Sequence, residues 1–267
     1  MSVEQAVQSK IEKHVLSLTL NRPEVLNALN QTLCDQLFEQ LAFAEKDSSI
    51  RCIVIRGAGK HFMAGGDLKL FHSELNRNSD ERRIFFEKFV YNVHPLVQVI
   101  KRIPKPVLAS VHGAVGGFGV SLMLLCDLVI AADTSYFTMA YGNIGTSPDG
   151  SSTYYLPRSV GLKKAMELSL LCDRFDATTA KTLGMINLVV PETKLHTETE
   201  NLSQKLSSGP TQAYANTKRL LNESLHSTLD QQLQAEAESF SDCAASNDFV
   251  EGITAFIEKR QPDFKGN

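Results

Sequence analysis

Two glycine-rich turns in this chain carry backbone groups that could bind a negatively charged oxygen. The first is His61-Phe-Met-Ala-Gly-Gly-Asp-Leu-Lys69, and the second is Val111-His-Gly-Ala-Val-Gly-Gly-Phe-Gly119. Each follows a short apolar run typical of a buried strand, and the second leads into residues 120–125, which are typical of a buried helix. The first N–H groups of a helix have no partner within it. The turns could therefore direct two N–H groups at one carbonyl oxygen, although close packing of a helix on a strand would explain the second turn equally well.

A third turn, Ser147-Pro-Asp-Gly150, contains a single carboxylate, Asp149. The hydroxyl residues that follow it are suited to begin a helix. Pro-Asp-Gly is a common turn sequence, so residue types alone favour a structural role for Asp149. A carboxylate beside a site that binds a carbonyl oxygen could instead carry a proton to and from carbon.

Six segments, including these turns, resemble the crotonase superfamily, also called the enoyl-CoA hydratase/isomerase family, in its order and spacing. They are Leu20-Asn-Arg-Pro23 with Asn27-Ala-Leu-Asn30, Ala64-Gly-Gly-Asp-Leu68, the stretch from Val111-His-Gly113 to Cys126-Asp127, Gly145-Thr-Ser-Pro-Asp-Gly150, Gly184-Met-Ile-Asn-Leu-Val-Val190 and Phe256-Ile-Glu-Lys-Arg260. The resemblance implies an α/β fold, a crotonase spiral of ββα repeats with a C-terminal helical trimerisation region. It also implies a homotrimer, or a hexamer built as a dimer of trimers.

The resemblance implies an acyl-CoA thioester as substrate, with its carbonyl oxygen held by two backbone amides. Matching motif to motif places these amides on Ala64 and Phe118, although the second position is usually Gly or Ala in the family. Coenzyme A is then part of the substrate, and no separate cofactor and no metal are expected. The substrate-binding positions implied are Ala28, Ala64, Gly65, Gly66, Asp67, Leu68, Gly117, Tyr141 and Lys259, the last near the coenzyme A phosphates.

The same matching addresses which group moves the proton. Hydratases of the family use two glutamates, and the corresponding positions here are Ser121 and Tyr141, neither of which can act as a carboxylate base. The Asp149 motif is similar to that of ring-epoxide/oxepin-CoA isomerases of phenylacetate breakdown and, with Glu for Asp, of Δ3-Δ2 enoyl-CoA isomerases. The leading hypothesis is an isomerase that uses Asp149 as its single acid/base. The alternatives are a hydratase of unusual design and a catalytically silent acyl-CoA-binding protein.

Alternating strand and helix patterns must position these turns. Apolar runs predict strands at residues 14–20, 52–55, 106–111, 128–132 and 186–190, and a helix after residue 30 argues for βαβ units. Residues 73–80 are polar and predict a loop that is mobile. A helix is expected from about residue 81 to 102, with a kink or break at Pro95.

We expect a boundary near residue 196, which separates a core with the acyl-CoA site (1–195) from a C-terminal helical region (196–267). The last helix carries Phe249, Ile253, Phe256 and Ile257 on one face, which would dock on the core or on a neighbouring subunit.

Composition excludes several other classes of protein. The 267 residues have a net charge of −3 and a pI near 6.2, with Lys and Arg scattered, so nucleic-acid binding is not expected. The absence of a long apolar stretch or of a signal-peptide pattern at residues 1–8 predicts a cytoplasmic protein without membrane contact. Five widely spaced cysteines predict reduced thiols.

Overall fold

The computed structural model describes residues 5–267, so only part of the N-terminal segment considered above lies within it. These residues form nine strands and eleven α-helices. The strands are β1 (Val7–Glu12), β2 (Val15–Leu20), β3 (Cys52–Gly57), β4 (Val107–Val111), β5 (Ala114–Gly116), β6 (Leu128–Ala132), β7 (Tyr136–Thr138), β8 (Phe175–Asp176) and β9 (Leu188–Val190). The helices are α1 (Gln31–Lys46), α2 (Leu68–Ser73), α3 (Ser79–Arg102), α4 (Phe118–Leu125), α5 (Ser152–Val160), α6 (Leu162–Leu171), α7 (Ala177–Thr182), α8 (Leu195–Ser207), α9 (Thr211–Glu223), α10 (Leu229–Ala244) and α11 (Asn247–Glu258).

Six strands form the main sheet, in the order β1-β2-β3-β4-β6-β9. All neighbours are parallel except β1 and β2, which form an antiparallel hairpin. The five strands predicted from apolar runs are confirmed as β2, β3, β4, β6 and β9. The short strands β5, β7 and β8 form a second sheet that the sequence patterns did not predict.

Successive side chains of a strand point to opposite faces of a sheet. Both faces of the main sheet pack against other parts of the protein. One face bears Leu16, Ile53 and Ala109, which belong to the large core. The other bears Val15, Val54 and Leu108, which pack with Leu195 of α8. The C-terminal helical region therefore begins with a helix that lies directly on the core sheet.

Helix α3 is continuous from Ser79 to Arg102, with Pro95 inside it. Of the predicted kink or break at this proline, the break does not occur. Proline removes one helical hydrogen bond, but buried side chains on both sides of it, including Val93 and Leu96, hold the helix against the core. At the start of α3, Asn78 and Glu81 form a capping box. The helix therefore begins at Ser79, inside the segment 73–80 that was predicted to be a loop.

Helix α11 presents an apolar face that the rest of the described chain leaves exposed. Phe256 is 85% exposed, Ile257 73% and Val250 62%. Such a contiguous apolar surface is typical of an interface between proteins. Within residues 5–267, no helix combines the length and the apolar character needed to cross a bilayer.

We predict that Phe256→Asp disrupts self-association through α11. A buried charge without a partner opposes assembly. Each 1.4 kcal/mol of association free energy that the substitution removes raises the dissociation constant of the assembly about tenfold. Light scattering coupled to gel filtration measures the mass, and circular dichroism checks that the variant remains folded. A folded variant with the wild-type mass would contradict a role for this face in assembly.

Candidate active site

The two predicted glycine turns lie side by side beyond the carboxyl ends of β3 and β4. The Gly116 N–H donates to the Met63 carbonyl at 2.9 Å, and the Met63 N–H donates to the Ala114 carbonyl at 3.3 Å. Gly117 has a φ of 48°, and a Cβ built on it would lie 3.5 Å from the Cα of Gly65. The backbones therefore approach each other closely at two glycines.

Each turn presents a free amide at the cavity. The Gly65 carbonyl accepts a hydrogen bond from the Leu29 N–H at 2.7 Å, and because the peptide is trans, the Gly66 N–H points the opposite way. The Gly117 carbonyl accepts from the Val120 N–H at 3.0 Å, so by the same reasoning the Phe118 N–H points out of the start of α4. Neither amide has an acceptor among residues 5–267, and both Gly66 and Phe118 line one cavity.

The predicted amide of Ala64 is not free. Its N–H donates to the Leu26 carbonyl at 3.0 Å, so it cannot also hold a carbonyl oxygen of a substrate. The prediction of Ala64 as an oxyanion donor is therefore wrong on structural grounds, and the free N–H of Gly66 is the candidate donor of this turn instead. The motif located the turn, but it could not show which peptide of the turn is already hydrogen-bonded.

The cavity has a volume of about 790 Å³ and opens between the two turns, α2, α3 and the turn that contains Asp149. Its walls are largely apolar, from Leu29, Leu68, Phe71, Leu75, Phe86, Phe89, Val90 and Ile144. Eight predicted site residues line it: Ala64, Gly65, Gly66, Leu68, Gly117, Phe118, Tyr141 and Asp149. Such an apolar cavity with a few polar groups is typical of a small-molecule site.

Three predicted substrate-binding residues do not line the cavity. Ala28 is buried, and its carbonyl accepts from Arg22 Nη1 at 2.6 Å. The Asp67 carboxylate pairs with Arg22 at 3.0 Å and caps α2 through the N–H groups of Lys69 and Leu70. Lys259 ends α11 in a left-handed conformation. The Asp67 carboxylate thus stabilises the turn through bonds within the protein, and it does not line the cavity.

Asp149 is the only carboxylate that lines the cavity within the described chain. Burial raises the pKa of its carboxyl above the ordinary value, while the hydrogen bond from Tyr141 and the charge of His94 lower it. The Tyr141 hydroxyl donates to Asp149 Oδ1 at 2.6 Å. Burial and the nearby carboxylate raise the pKa of Tyr141, so this hydroxyl stays protonated and keeps donating.

Two serines hold the backbone of the same turn. Ser121 Oγ donates to the Asp149 carbonyl at 3.0 Å, and Ser152 Oγ donates to it at 2.9 Å. Ser121 Oγ also lies 3.2 Å from the Tyr141 hydroxyl. The two positions matched to hydratase glutamates therefore carry hydroxyls that anchor Asp149.

The ring of Phe118 packs under the Asp149 turn. Gly150 has a φ of 58°, and a Cβ built on it would lie 2.5 Å from Phe118 Cε2. Only a residue without a side chain fits there, and Phe118 is 2% exposed. One residue therefore supplies a free amide to the cavity and supports the carboxylate opposite it.

Sequence reasoning missed the contribution of α3 to the cavity. Phe86, Val90 and His94 all line it, and they are spaced four residues apart, so they share one face of the helix. This spacing was available in the sequence, but none of the three residues was named as a site residue. His72 of α2 also lines the cavity.

We predict that Tyr141→Phe raises the pKa of Asp149 further. The tyrosine hydrogen bond favours the ionised carboxylate, so its loss leaves the effect of burial less opposed. Carboxyl carbon NMR across a pH series measures this, with the Asp149 resonance identified by its loss in Asp149→Asn. Tyr136→Phe is the control and should leave the resonance unchanged. An unchanged or lowered Asp149 pKa in Tyr141→Phe would refute the predicted effect.

We also predict that Gly150→Ala destabilises the fold more than Gly145→Ala. Both glycines have positive φ, but a Cβ on Gly145 meets nothing within 4 Å, whereas one on Gly150 collides with Phe118. Gly145→Ala should therefore show only the backbone strain of about 1 kcal/mol, and Gly150→Ala a further ~1–3 kcal/mol from overpacking. Urea unfolding compares the two, and equal free energies of unfolding would refute the contact.

Comparisons with known proteins identify the family of this chain. The family model "Enoyl-CoA hydratase/isomerase" matches residues 10–267. The chain is 38% identical to the 1,2-epoxyphenylacetyl-CoA isomerase of Escherichia coli, over 97% of this chain and 98% of that protein. It is 36% identical to a protein of Rhodobacter capsulatus described as "Probable enoyl-CoA hydratase", again over 97% and 98% of the two chains.

A solved structure shows the same fold. The enoyl-CoA hydratase from Polaromonas sp. JS666 matches with a TM-score of 0.91 and 34% identity, over 97% of this chain and 99% of that one. The predicted crotonase fold is thus confirmed, and the chain belongs to the enoyl-CoA hydratase/isomerase family.

Proposed function

We propose that this protein is an acyl-CoA isomerase that shifts a carbon–carbon double bond through a thioester enolate. The observation that carries the proposal is that a single, half-buried carboxylate, Asp149, lines the same cavity as the free amides of Gly66 and Phe118. The substrate is an enoyl thioester of coenzyme A, and the segment from residue 64 to 68 holds the coenzyme A arm.

The two amides stabilise the enolate. When a base removes a proton from C2, negative charge develops on the thioester oxygen, and two fixed N–H groups meet that charge without reorganisation. One such donor contributes roughly 3 kcal/mol to lowering a barrier of this type. The donors belong to neighbouring turns joined by backbone hydrogen bonds, which keeps their separation constant.

Asp149 moves the proton. Tyr141 holds Oδ1, which leaves Oδ2 to take the proton from C2 and return it to C4 of the dienolate on the same face. The C3–C4 double bond then becomes a C2–C3 double bond, and the carboxylate is regenerated. Burial raises the pKa of Asp149 toward the operating pH. A higher pKa makes the carboxylate a stronger base and allows it to hold the proton between the two steps.

The surroundings of Asp149 favour this reaction over hydration. Water addition in the family's usual way needs two carboxylates that hold a water molecule, as the sequence comparison with hydratases implies. Here Ser121 and Tyr141 donate hydrogen bonds to Asp149 itself. We further propose that the protein acts in the cytoplasm as a trimer or a hexamer.

Proton NMR in D2O with trans-3-hexenoyl-CoA tests the reaction. We expect conversion to trans-2-hexenoyl-CoA with deuterium incorporation and without a 3-hydroxyacyl product. Formation of the 3-hydroxyacyl thioester from either enoyl isomer would show that the protein is a hydratase and would contradict the proposal. Absence of deuterium exchange in an acyl-CoA that demonstrably binds would make the protein a silent binder.

We predict that Asp149→Asn lowers turnover at least about 1,000-fold, a loss in the range attributed to acid–base groups, while the Kd for the substrate changes only several-fold. Isothermal titration gives the Kd, and the NMR assay gives turnover. Retained turnover would remove Asp149 from the mechanism.

The same substitution should raise the melting temperature at neutral pH. Because burial raises the folded-state pKa of Asp149, its ionisation destabilises the fold as pH rises above the unfolded value of about 4. Below that pH both states bind the proton, and the gain in the variant should vanish. Calorimetry at pH 7 and at acid pH measures this difference, and a lower melting temperature at pH 7 would contradict it.

A further inference from the structure

One stripe of α3 forms a wall of the cavity and ends in a polar residue. Phe86, Val90 and His94 lie on the same face and all line the cavity. At a rise of about 1.5 Å per residue, His94 lies roughly 12 Å along the helix from Phe86. Along the helix, the residues of this stripe therefore change from aromatic (Phe86) through aliphatic (Val90) to imidazole (His94).

The imidazole of His94 makes no hydrogen bond with any group in residues 5–267. Its ring meets the Tyr91 ring edge-on, with centroids 5.2 Å apart, and this contact leaves both ring nitrogens available. Its side chain is exposed to the open cavity. An acyl chain in the cavity would cover these nitrogens and remove their water.

His94 also acts on Asp149. Of the two histidines that line the cavity, His94 is the one whose charge lowers the pKa of Asp149, whereas His72 has no such effect. The imidazole and the carboxylate therefore lie within electrostatic reach of each other.

We propose that His94 is a specificity-determining residue that hydrogen-bonds an oxygen atom on the acyl group, so that the preferred acyl groups carry a carbonyl, hydroxyl or ether oxygen beyond the carbons at which Asp149 acts. This inference rests on the proposed function only in that the acyl group of a thioester occupies the cavity. It holds whether the thioester is isomerised or only bound.

Discrimination follows from desolvation. A purely apolar chain would cover the imidazole and give it no partner, and an unsatisfied polar group is costly to bury. An acyl oxygen at the right carbon would restore the lost hydrogen bond. Sites built in this way reject the analogue that lacks the oxygen more strongly than apolar sites reject an added one.

Binding of saturated thioesters tests the proposal without turnover. Octanoyl-CoA is compared with 5-oxo-, 6-oxo- and 7-oxo-octanoyl-CoA by isothermal titration, because ketones place an acceptor at each carbon without cyclising to a lactone. The wild type should bind at least one oxo compound about tenfold more tightly than octanoyl-CoA, as expected for one buried hydrogen bond. In His94→Phe this ratio should fall at least fivefold, mainly through a weaker Kd for the oxo compound.

His72→Phe is the matched control, since it removes a histidine from the same cavity. It should keep the wild-type ratio between the oxo compound and octanoyl-CoA, whatever it does to both affinities together. A wild type that prefers octanoyl-CoA over every oxo compound, or a His94→Phe variant that keeps the wild-type ratio, would overturn the proposal. Because the probes have no double bond, either result is independent of whether the isomerase assay succeeds.

Discussion

The site depends on the close approach of two backbone turns, at which side chains would not fit. A Cβ on Gly117 would reach ordinary van der Waals contact with the Gly65 Cα, at 3.5 Å, whereas a Cβ on Gly119 would collide with the Met63 carbonyl. This approach allows the backbone hydrogen bonds between Met63, Ala114 and Gly116, which tie the ends of two parallel strands together. The N–H groups of Gly66 and Phe118 are left without an acceptor at the cavity, so the candidate binding site results from how the rest of each turn is hydrogen-bonded.

The second requirement is a carboxylate that is buried without being neutralised. Burial makes ionisation of Asp149 costly, and a salt bridge in the cavity would remove its basicity. The structure uses neutral donors: Tyr141 bonds one carboxylate oxygen, and Ser121 and Ser152 bond the backbone carbonyl. The serines fix the position of the group with little effect on its charge, and the tyrosine limits how far its pKa rises.

Much of this arrangement was predictable from sequence, because it depends on local patterns. Apolar runs located five of the six strands of the main sheet, all except β1, and glycine motifs located both turns and the Asp149 turn. The donor within the first turn was not predictable, since Ala64 and Gly66 differ only in whether a distant carbonyl, that of Leu26, occupies the N–H. Asp67 was misjudged for a similar reason, because its partner Arg22 is 45 residues away in sequence. Such pairings arise from tertiary structure and leave no local pattern.

The positions of Ser121 and Tyr141 also explain how one scaffold could support different chemistry. In the hydratases that the sequence resembles, both positions carry glutamates, and two further carboxylates beside Asp149 would raise its pKa through like-charge repulsion. A carboxylate held permanently protonated cannot remove a proton from C2. The hydroxyls of Ser121 and Tyr141 are uncharged, so they avoid this repulsion and donate hydrogen bonds to Asp149. Uncharged hydroxyls at these two positions are therefore what the proposed mechanism requires, because in it Asp149 is both base and acid within a single turnover.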